Sequence, residues 1–189
     1  MIVYIDKAHI KNKKVLLRVD FNVSMKGTHI TDDARIRAVL PTIKKLLKDS
    51  NKLIIISHLG RPDGWDERFR LKPIAQRLHK YLPHVKLMVI DDFTSEGARE
   101  HFENQKEGEI LFLENIRFFK EEEEADHEFA KKLASLADVY VNDAFGVSHR
   151  DCASITEVPK YLPHFGGLLM EREVETIGHA LKHPAHPFA

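Results

Sequence analysis

Cysteine, long apolar runs and an excess of charge of either sign are all scarce or missing in this sequence. Cys152 is the one cysteine among 189 residues, so no disulfide can form within the chain and a reducing compartment is expected. No apolar stretch approaches the roughly 18 residues that a membrane-spanning helix needs. Residues 1–14 lack the basic segment and the following apolar segment of a signal peptide. We therefore expect a cytoplasmic protein with no membrane partner.

The charged residues balance, with 29 Lys and Arg against 29 Asp and Glu. Domains that bind nucleic acid in general are usually strongly basic, so we expect no nucleic-acid partner. An anion site on this chain would have to be a local cluster of positive side chains. The 43% apolar and 31% charged residues are otherwise typical of a soluble globular protein.

Both common glycine-rich phosphate loops are also missing. The sequence contains neither G-x-x-x-x-G-K-[ST] nor G-x-G-x-x-G. Any phosphate would therefore have to be bound mainly by side chains.

Predicted strands and helices alternate along the whole chain. Short apolar runs predict five strands, at Val15–Val19, Leu53–Ser57, Lys86–Ile90, Ile110–Leu113 and Val139–Asn142. Helical patterns predict helices at Pro73–Tyr81, Ser95–Glu103, 125–137 and Met170–Leu181, the last ending at a linker, HPAHP. One more helix should begin after Thr31-Asp32-Asp33, with Ile36, Leu40, Ile43 and Leu47 on one face. Pro41 lies inside that pattern and should kink or split the helix.

Strict alternation of this kind indicates an α/β fold. We expect a single-domain, doubly wound, mainly parallel sheet with helices on both faces, a Rossmann-like three-layer architecture. The strands are almost continuously apolar, as is typical of strands buried on both faces. The acidic run Lys120–Glu124 precedes a predicted helix and is expected to be a solvated helix start.

Polar side chains follow four of the predicted strands, and Arg35 near the first helix start joins them. They are Asp20 and Asn22 after the first strand, His58 and Arg61 after the second, Asn115 and Arg117 after the fourth, and Asn142, Asp143, His149 and Arg150 after the fifth. Ligands of open α/β sheets bind at the carboxyl ends of the strands. Arginine suits phosphate and carboxylate oxygens. The set therefore predicts a site for a small phosphorylated hydroxy acid.

Each residue also has a simpler interpretation when it is taken alone. A single arginine at a strand end is usually a surface charge, His58 could cap a helix or pack in a loop, and Asp143 could cap a turn. Cys152 stands beside His149 and Arg150, which leaves a lowered thiol pKa and a nucleophilic role open. His179 and His183, with His186 nearby, could suggest a metal site, but no acid or cysteine completes a ligand set, so no metal is expected.

Several segments resemble phosphoglycerate kinase, in the order in which that family has them. They are RVDFNV (18–23), TDDARIRAVLPTI (31–43), SHLGRP (57–62), LENIRF (113–118), VNDAFG (141–146) with the SHR that follows, and FGGLLMERE (165–173). They extend over nearly the whole chain and resemble the N-terminal half of the family.

The resemblance implies a role for each matching residue. Substrate contacts would be made by Asp20, Asn22, Arg35, His58, Arg61, Arg117 and Arg150, and Arg18 and His149 would complete a basic patch. Asp20 and Asn22 would address the hydroxy-carboxylate end of 3-phosphoglycerate, and His58, Arg61, Arg117 and Arg150 its phosphate. Arg35 would be the catalytic residue, steadying the phosphoryl group as it moves. A sulfate or phosphate ion would mimic the substrate.

The resemblance also implies a domain division and a reaction. Residues 1–170 would be the 3-phosphoglycerate-binding domain and 171–189 the start of an interdomain helix or linker. ATP or ADP and Mg²⁺ would be bound by a C-terminal domain that this sequence does not contain, and the two domains would be partners. The expected activity is reversible phosphoryl transfer between 1,3-bisphosphoglycerate and ADP in glycolysis. We expect a monomer that is inactive alone. The alternative is a non-catalytic module that binds phosphorylated metabolites with the same fold.

Two positions depart from the family's usual sequence. Ser24 stands where the family usually has proline, which predicts a looser hold on Asn22. Asp151-Cys152 stands where Ala-His is usual, and an acid beside Arg150 could partly neutralise it.

Overall fold

A computed structural model describes residues 2–182, and its main feature is a six-stranded parallel sheet. The six strands, in their order across the sheet, are β5 (Leu87–Ile90), β6 (Ile110–Leu113), β4 (Lys52–Ile56), β1 (Lys14–Val19), β7 (Val139–Asp143) and β8 (His164–Gly166). All five neighbouring pairs are parallel. The predicted α/β class is therefore confirmed.

Five α-helices lie between strands, and a sixth follows the last strand. They are α1 (Ala34–Lys48), α2 (Lys72–Tyr81), α3 (Glu96–Glu103), α4 (Lys120–Glu123), α5 (His127–Ala134) and α6 (Leu168–Lys182) within residues 2–182. Two short strands, β2 (Ser24–Lys26) and β3 (His29–Asp32), form a separate antiparallel hairpin between β1 and α1.

The sheet is covered on both faces. The side chains of β1 show this, because they alternate between two hydrophobic cores. Val15, Leu17 and Val19 pack with α1 and α2 residues such as Ile43. Leu16 faces the opposite side, in the core that contains Phe129 of α5. Successive side chains of a strand point to opposite faces, so a strand buried on both sides is apolar throughout. The two cores give the three layers that the sequence predicted.

Helix α1 differs in two details from the prediction. It is continuous through Pro41, which is exposed, so the predicted split is wrong. Its fully buried face carries Val39 and Leu46, whereas Leu40 and Leu47 are only partly buried. The face is therefore turned by about one residue from the one that the i, i+4 pattern suggested.

The segment around the acidic run also differs from the prediction. Lys120–Glu123 is itself a helical turn, and Glu122 in its middle is 1% exposed, so the expectation of a wholly solvated run is wrong. The prediction also missed the hairpin and β8, which are only three or four residues per strand.

The last predicted boundary falls within a helix. Helix α6 runs from Leu168 to Lys182 and so crosses the position between residues 170 and 171 at which the two-part division was expected. The division itself stays a prediction. The HPAHP linker lies outside the described residues.

Candidate functional site

The loop after β1 is tied to two neighbouring elements at the carboxyl edge of the sheet. Asp20 Oδ1 accepts a hydrogen bond from the Asn22 amide at 3.1 Å, and its other oxygen forms an ion pair with Arg35. Asn22 Oδ1 in turn accepts from the Gly60 amide at 3.0 Å, despite the serine at position 24. Three predicted site residues from the β1 loop and the start of α1 therefore lie together.

His58 is buried in the middle of this group, with 2% of its surface exposed. Its Nδ1 lies 3.3 Å from an amino group of Arg18, and its Nε2 lies 4.0 Å from Asp20 Oδ1. Burial first, and then the positive charge of Arg18 and the charges of Arg117, Arg150 and Arg35, lowers the pKa of His58 to about 2. The ring is therefore neutral at physiological pH, and cations surround it.

Arg117 is held against the same loop through Gly60. Its guanidinium donates to the Gly60 carbonyl at 2.6 Å, and only 8% of the residue is exposed. Gly60 has a φ of 61°, and a Cβ there would lie 2.3 Å from the Phe69 ring, so glycine is required. Asn115 stabilises the loop that contains Gly60, since its side-chain amide donates to the Leu59 and Phe69 carbonyls.

Three arginines line one cavity of about 230 Å³. Its lining residues are Arg18, Arg117, Glu122, Glu123, Arg150, Asp151 and Cys152. Nε of Arg150 is buried without a hydrogen-bond partner among the described residues. Burial, and next the charge of Arg150, lowers the pKa of Arg117. Because the guanidinium groups repel one another, an anion shared among them would stabilise the cluster.

Asp151, the acid next to Arg150 in sequence, forms no direct ion pair with that arginine. The Asp151 carboxylate accepts from the Thr156 hydroxyl at 2.7 Å, and Arg150 forms no ion pair with any residue in the 2–182 range. The arginine therefore keeps its charge available to the cavity.

A second cavity of about 320 Å³ includes Asp20 in its lining. It is lined by Asp20, Ala34, Arg35, Ala38, Asp143, Phe145, Gly146, Leu169, Arg172 and Glu173. The side chain of Arg35 is 53% exposed here, so it can reach a ligand while it remains paired with Asp20. The contacts from Arg35 through Asp20 and His58 to Arg18 connect the two cavities.

Two predicted residues stand apart from the buried cluster. Arg61 and His149 are exposed, and within the described part of the chain neither side chain makes a hydrogen bond or an ion pair. Each is adjacent in sequence to a clustered element, Arg61 to Gly60 and His149 to Arg150. Their side chains therefore do not join the buried cluster in this structure.

Asp143 has a structural position rather than a place in the arginine cluster. It is fully buried, and its Oδ1 accepts from the Met170 amide at 2.9 Å in the first turn of α6. Thr42 of α1 accepts from the Leu168 amide at 3.0 Å, at the start of the same helix. Burial raises the pKa of Asp143. Asp143 was interpreted alternatively as the cap of a turn. In the structure it caps the first turn of helix α6 instead.

The open alternatives for Cys152 and for metal binding have different outcomes. Burial raises the pKa of the Cys152 thiol to about 11, and the residue is 7% exposed, so the suggestion of a lowered thiol pKa is wrong. His183 and His186 lie outside the described residues. Within residues 2–182, no three His, Cys, Asp or Glu side chains are grouped to hold a metal ion.

Sequence reasoning missed three supporting residues. Gly60, Glu122 and Ser154 all contact predicted site residues or their immediate neighbours. For Gly60, the signal was present in the loop sequence HLGRP, which places a glycine between two functional side chains. Glu122 and Ser154 carry no local signal, because they meet only in the folded chain.

The sequence has no apolar run long enough for a membrane-spanning helix, and the helices of the structure can be compared with that expectation. None of the helices between residues 2 and 182 is both long and apolar enough to cross a membrane.

The chain is similar to one protein family along almost all of its length. A sequence profile described as "Phosphoglycerate kinase" matches residues 5–189. A phosphoglycerate kinase of Dictyoglomus turgidum is 54% identical over 181 residues, which cover 95% of this chain and 45% of that protein. One of Thermosynechococcus vestitus is 48% identical over 185 residues, or 96% of this chain and 46% of that protein.

Solved structures give the same result. The phosphoglycerate kinase of Coxiella burnetii superposes with a TM-score of 0.85 at 35% identity, covering 99% of this chain and 47% of that one. The enzyme of Pyrococcus horikoshii OT3 gives 0.86 at 36% identity, with 98% and 47% covered. The chain thus spans about half the length of the relatives that it matches.

Proposed function

Because the chain belongs to the phosphoglycerate kinase family, we propose that it is the half of the enzyme that binds 3-phosphoglycerate or 1,3-bisphosphoglycerate. The observation that carries this proposal is the cavity lined by Arg18, Arg117 and Arg150, with the His58 ring 3.3 Å from Arg18. A dense cluster of cations with an unpartnered buried guanidinium nitrogen suits a small dianion. The reaction served would be reversible phosphoryl transfer with ADP or ATP in glycolysis, in the cytoplasm.

The two cavities suit the two ends of such a substrate. Arg117 and Arg150 would bind the phosphate in the smaller cavity, with Arg61 closing over it and His149 adding charge. Asp20 and Asn22 would address the hydroxyl and the carboxylate. Arg35, exposed in the larger cavity, would stabilise the charge that spreads over the moving phosphoryl group.

Phosphoryl transfer needs in-line placement, neutralisation of charge and exclusion of water more than it needs covalent help. In this proposal the described residues would supply the first two for the acceptor. They offer no grouped ligands for a cation among residues 2–182, so no step of nucleotide or Mg²⁺ chemistry is assigned to them. We propose that the chain alone has no turnover and that it pairs with a nucleotide-binding half. Closure of the two halves would exclude water.

Isothermal calorimetry with 3-phosphoglycerate tests the binding proposal. Four to six charge-assisted hydrogen bonds of about 1.5–3 kcal/mol, reduced by ordering and desolvation, leave about 5–7 kcal/mol, which corresponds to a Kd from about 10 µM to 200 µM. Arg117→Ala should weaken binding by about tenfold or more, because one such bond to an anion is lost. Arg99→Ala is the matched control, since Arg99 is exposed on α3 and, within residues 2–182, pairs only with Glu103.

The absence of binding heat at millimolar 3-phosphoglycerate would contradict the proposal. An equal loss of affinity in Arg117→Ala and Arg99→Ala would contradict it as well. The alternative, a non-catalytic module, predicts binding without catalysis under every condition. Mixing the chain with a separately expressed C-terminal half of a relative distinguishes the two, because ATP-dependent phosphorylation of 3-phosphoglycerate in the mixture would exclude the non-catalytic module.

A further inference from the structure

Glu122 is the one buried member of the acidic run Lys120–Glu124, and it is among the residues that line the smaller cavity. Its Oε2 accepts from the Ser154 amide at 2.8 Å and its Oε1 from the Ser154 hydroxyl at 2.6 Å. Its neighbours Glu121 and Glu123 are exposed. Burying a carboxylate is costly unless it is well bonded, so this position calls for a specific reason.

The Ser154 hydroxyl oxygen links Arg18 to Glu122. Arg18 Nε donates to that oxygen at 3.0 Å, and this direction is fixed because arginine has no acceptor of its own. Burial raises the pKa of Glu122, whereas the charge of Arg18 and the two bonds from Ser154 favour its ionised form. The ionised form accepts the proton of the Ser154 hydroxyl. All three residues are at most 2% exposed, and no solvent competes with the bonds.

The same guanidinium determines which nitrogen of His58 carries the proton. One amino group of Arg18 donates to the Val19 carbonyl, and the other lies 3.3 Å from His58 Nδ1. Because that amino group can only donate, Nδ1 must accept, and the proton of the neutral ring is on Nε2. Nε2 faces Asp20 and hence the substrate side of the site.

We propose that Glu122 and Ser154 are positioning residues that act through Arg18 to hold His58 as the Nε2–H tautomer. In this tautomer the imidazole presents an N–H donor to the anionic substrate. The other tautomer would present a lone pair and repel it. The positions of the protons follow from the hydrogen bonds alone, whereas the identity of the substrate rests on the proposed function.

Nitrogen NMR on the 189-residue chain tests the tautomer without any ligand. Long-range proton–nitrogen spectra of ¹⁵N-histidine-labelled protein report which ring nitrogen is protonated, and His58→Gln identifies the signal. We expect a protonated Nε2 and an unprotonated Nδ1 in the wild type. In Ser154→Ala both signals should move toward the averaged position of mixed tautomers. Ser154→Thr, which keeps the hydroxyl, should retain the wild-type pattern.

Glu122→Gln provides a second variant, with Glu121→Gln as the matched control on the exposed side of the same turn. Glutamine puts an amide donor against Ser154 in place of one carboxylate oxygen, so E122Q should mix the tautomers while E121Q should not. For both S154A and E122Q we expect sulfate affinity to fall about tenfold, the equivalent of one hydrogen bond to an anion.

A wild-type His58 protonated on Nδ1 would overturn the proposal, and this measurement needs no variant. An unchanged pattern in natively folded S154A and E122Q would overturn it as well. A change of tautomer in a protein that binds sulfate but not 3-phosphoglycerate would support the positioning role and contradict the proposed function, so the two failures are distinguishable.

Discussion

Gly167 precedes helix α6 at a point where no larger residue fits, and Gly167→Ala is the sharpest test of the packing around Asp143. A Cβ at this position would lie 2.2 Å from Asp143 Oδ1 and 2.3 Å from its Cγ. The carboxylate cannot turn away freely, because it is fully buried and bonded to Met170. Either the carboxylate or the start of α6 must therefore move.

The expected cost has two parts. Forcing a methyl group into a packed interior costs about 1–3 kcal/mol. Displacing the Asp143 carboxylate also weakens its bond to the first turn of α6, and losing a helix cap costs about 1 kcal/mol. We expect G167A to reduce the free energy of unfolding by about 2–4 kcal/mol.

Urea unfolding followed by circular dichroism measures the effect, with Gly178→Ala as the matched control. Gly178 is on the same helix, and a Cβ added there would have no neighbouring atom within 4 Å, so alanine should stabilise the helix by about 0.5–1 kcal/mol. In an Asp143→Gly background G167A should cost markedly less, because the carboxylate and the Cβ of residue 143, which would lie 2.2–2.7 Å from the added methyl group, are gone. A G167A protein within about 0.5 kcal/mol of the wild type would refute the reasoning, as would an unchanged cost in that background.

Three further predictions concern buried groups. Cys152, with its raised pKa of about 11 and 7% exposure, should not react with a thiol reagent at pH 8 until urea unfolds the chain; rapid native labelling would contradict this. Burial lowers the pKa of His58 from 6.5 to about 2, so its neutral ring contributes full stability above pH 6.5. That contribution falls by about 1.4 kcal/mol per pH unit as the pH drops below 6.5, and His58→Gln should flatten this dependence in urea unfolding between pH 6 and pH 4. Asn115→Ala should cost about 3 kcal/mol in the same assay, because a fully buried amide bonded to two carbonyls is lost, whereas Asn104→Ala at the exposed end of α3 should cost little.

The five predicted strands and the layer order could be read from the sequence because burial on both faces leaves a local signal. β1 is the clearest case, since Val15 through Leu17 are fully buried. The carboxyl-edge residues followed from that reading, because polar side chains after buried strands share one edge. The hairpin and β8 were missed because strands of three or four residues contain too few positions for a period to be recognised.

The supporting residues could not be found in the same way. Glu122 and Ser154 are 32 positions apart, and each resembles an ordinary surface residue in its own segment. Their burial results from how α4 packs on the segment after Arg150, which no local pattern records. Asp143 stands out in the sequence because it follows the predicted strand Val139–Asn142, but its actual hydrogen-bond partner is the Met170 amide on α6.

The arrangement of the loops has a practical consequence for engineering. Every residue of the two cavities that we assign to substrate follows the carboxyl end of a strand or begins α1, whereas the turn before β6 is on the opposite edge. Lys106 and Glu107 in that turn are exposed. A peptide tag or a fluorescent domain inserted between them would be held far from the anion pocket, so the chain can be immobilised there on a sensor surface with its ligand entrance facing solution.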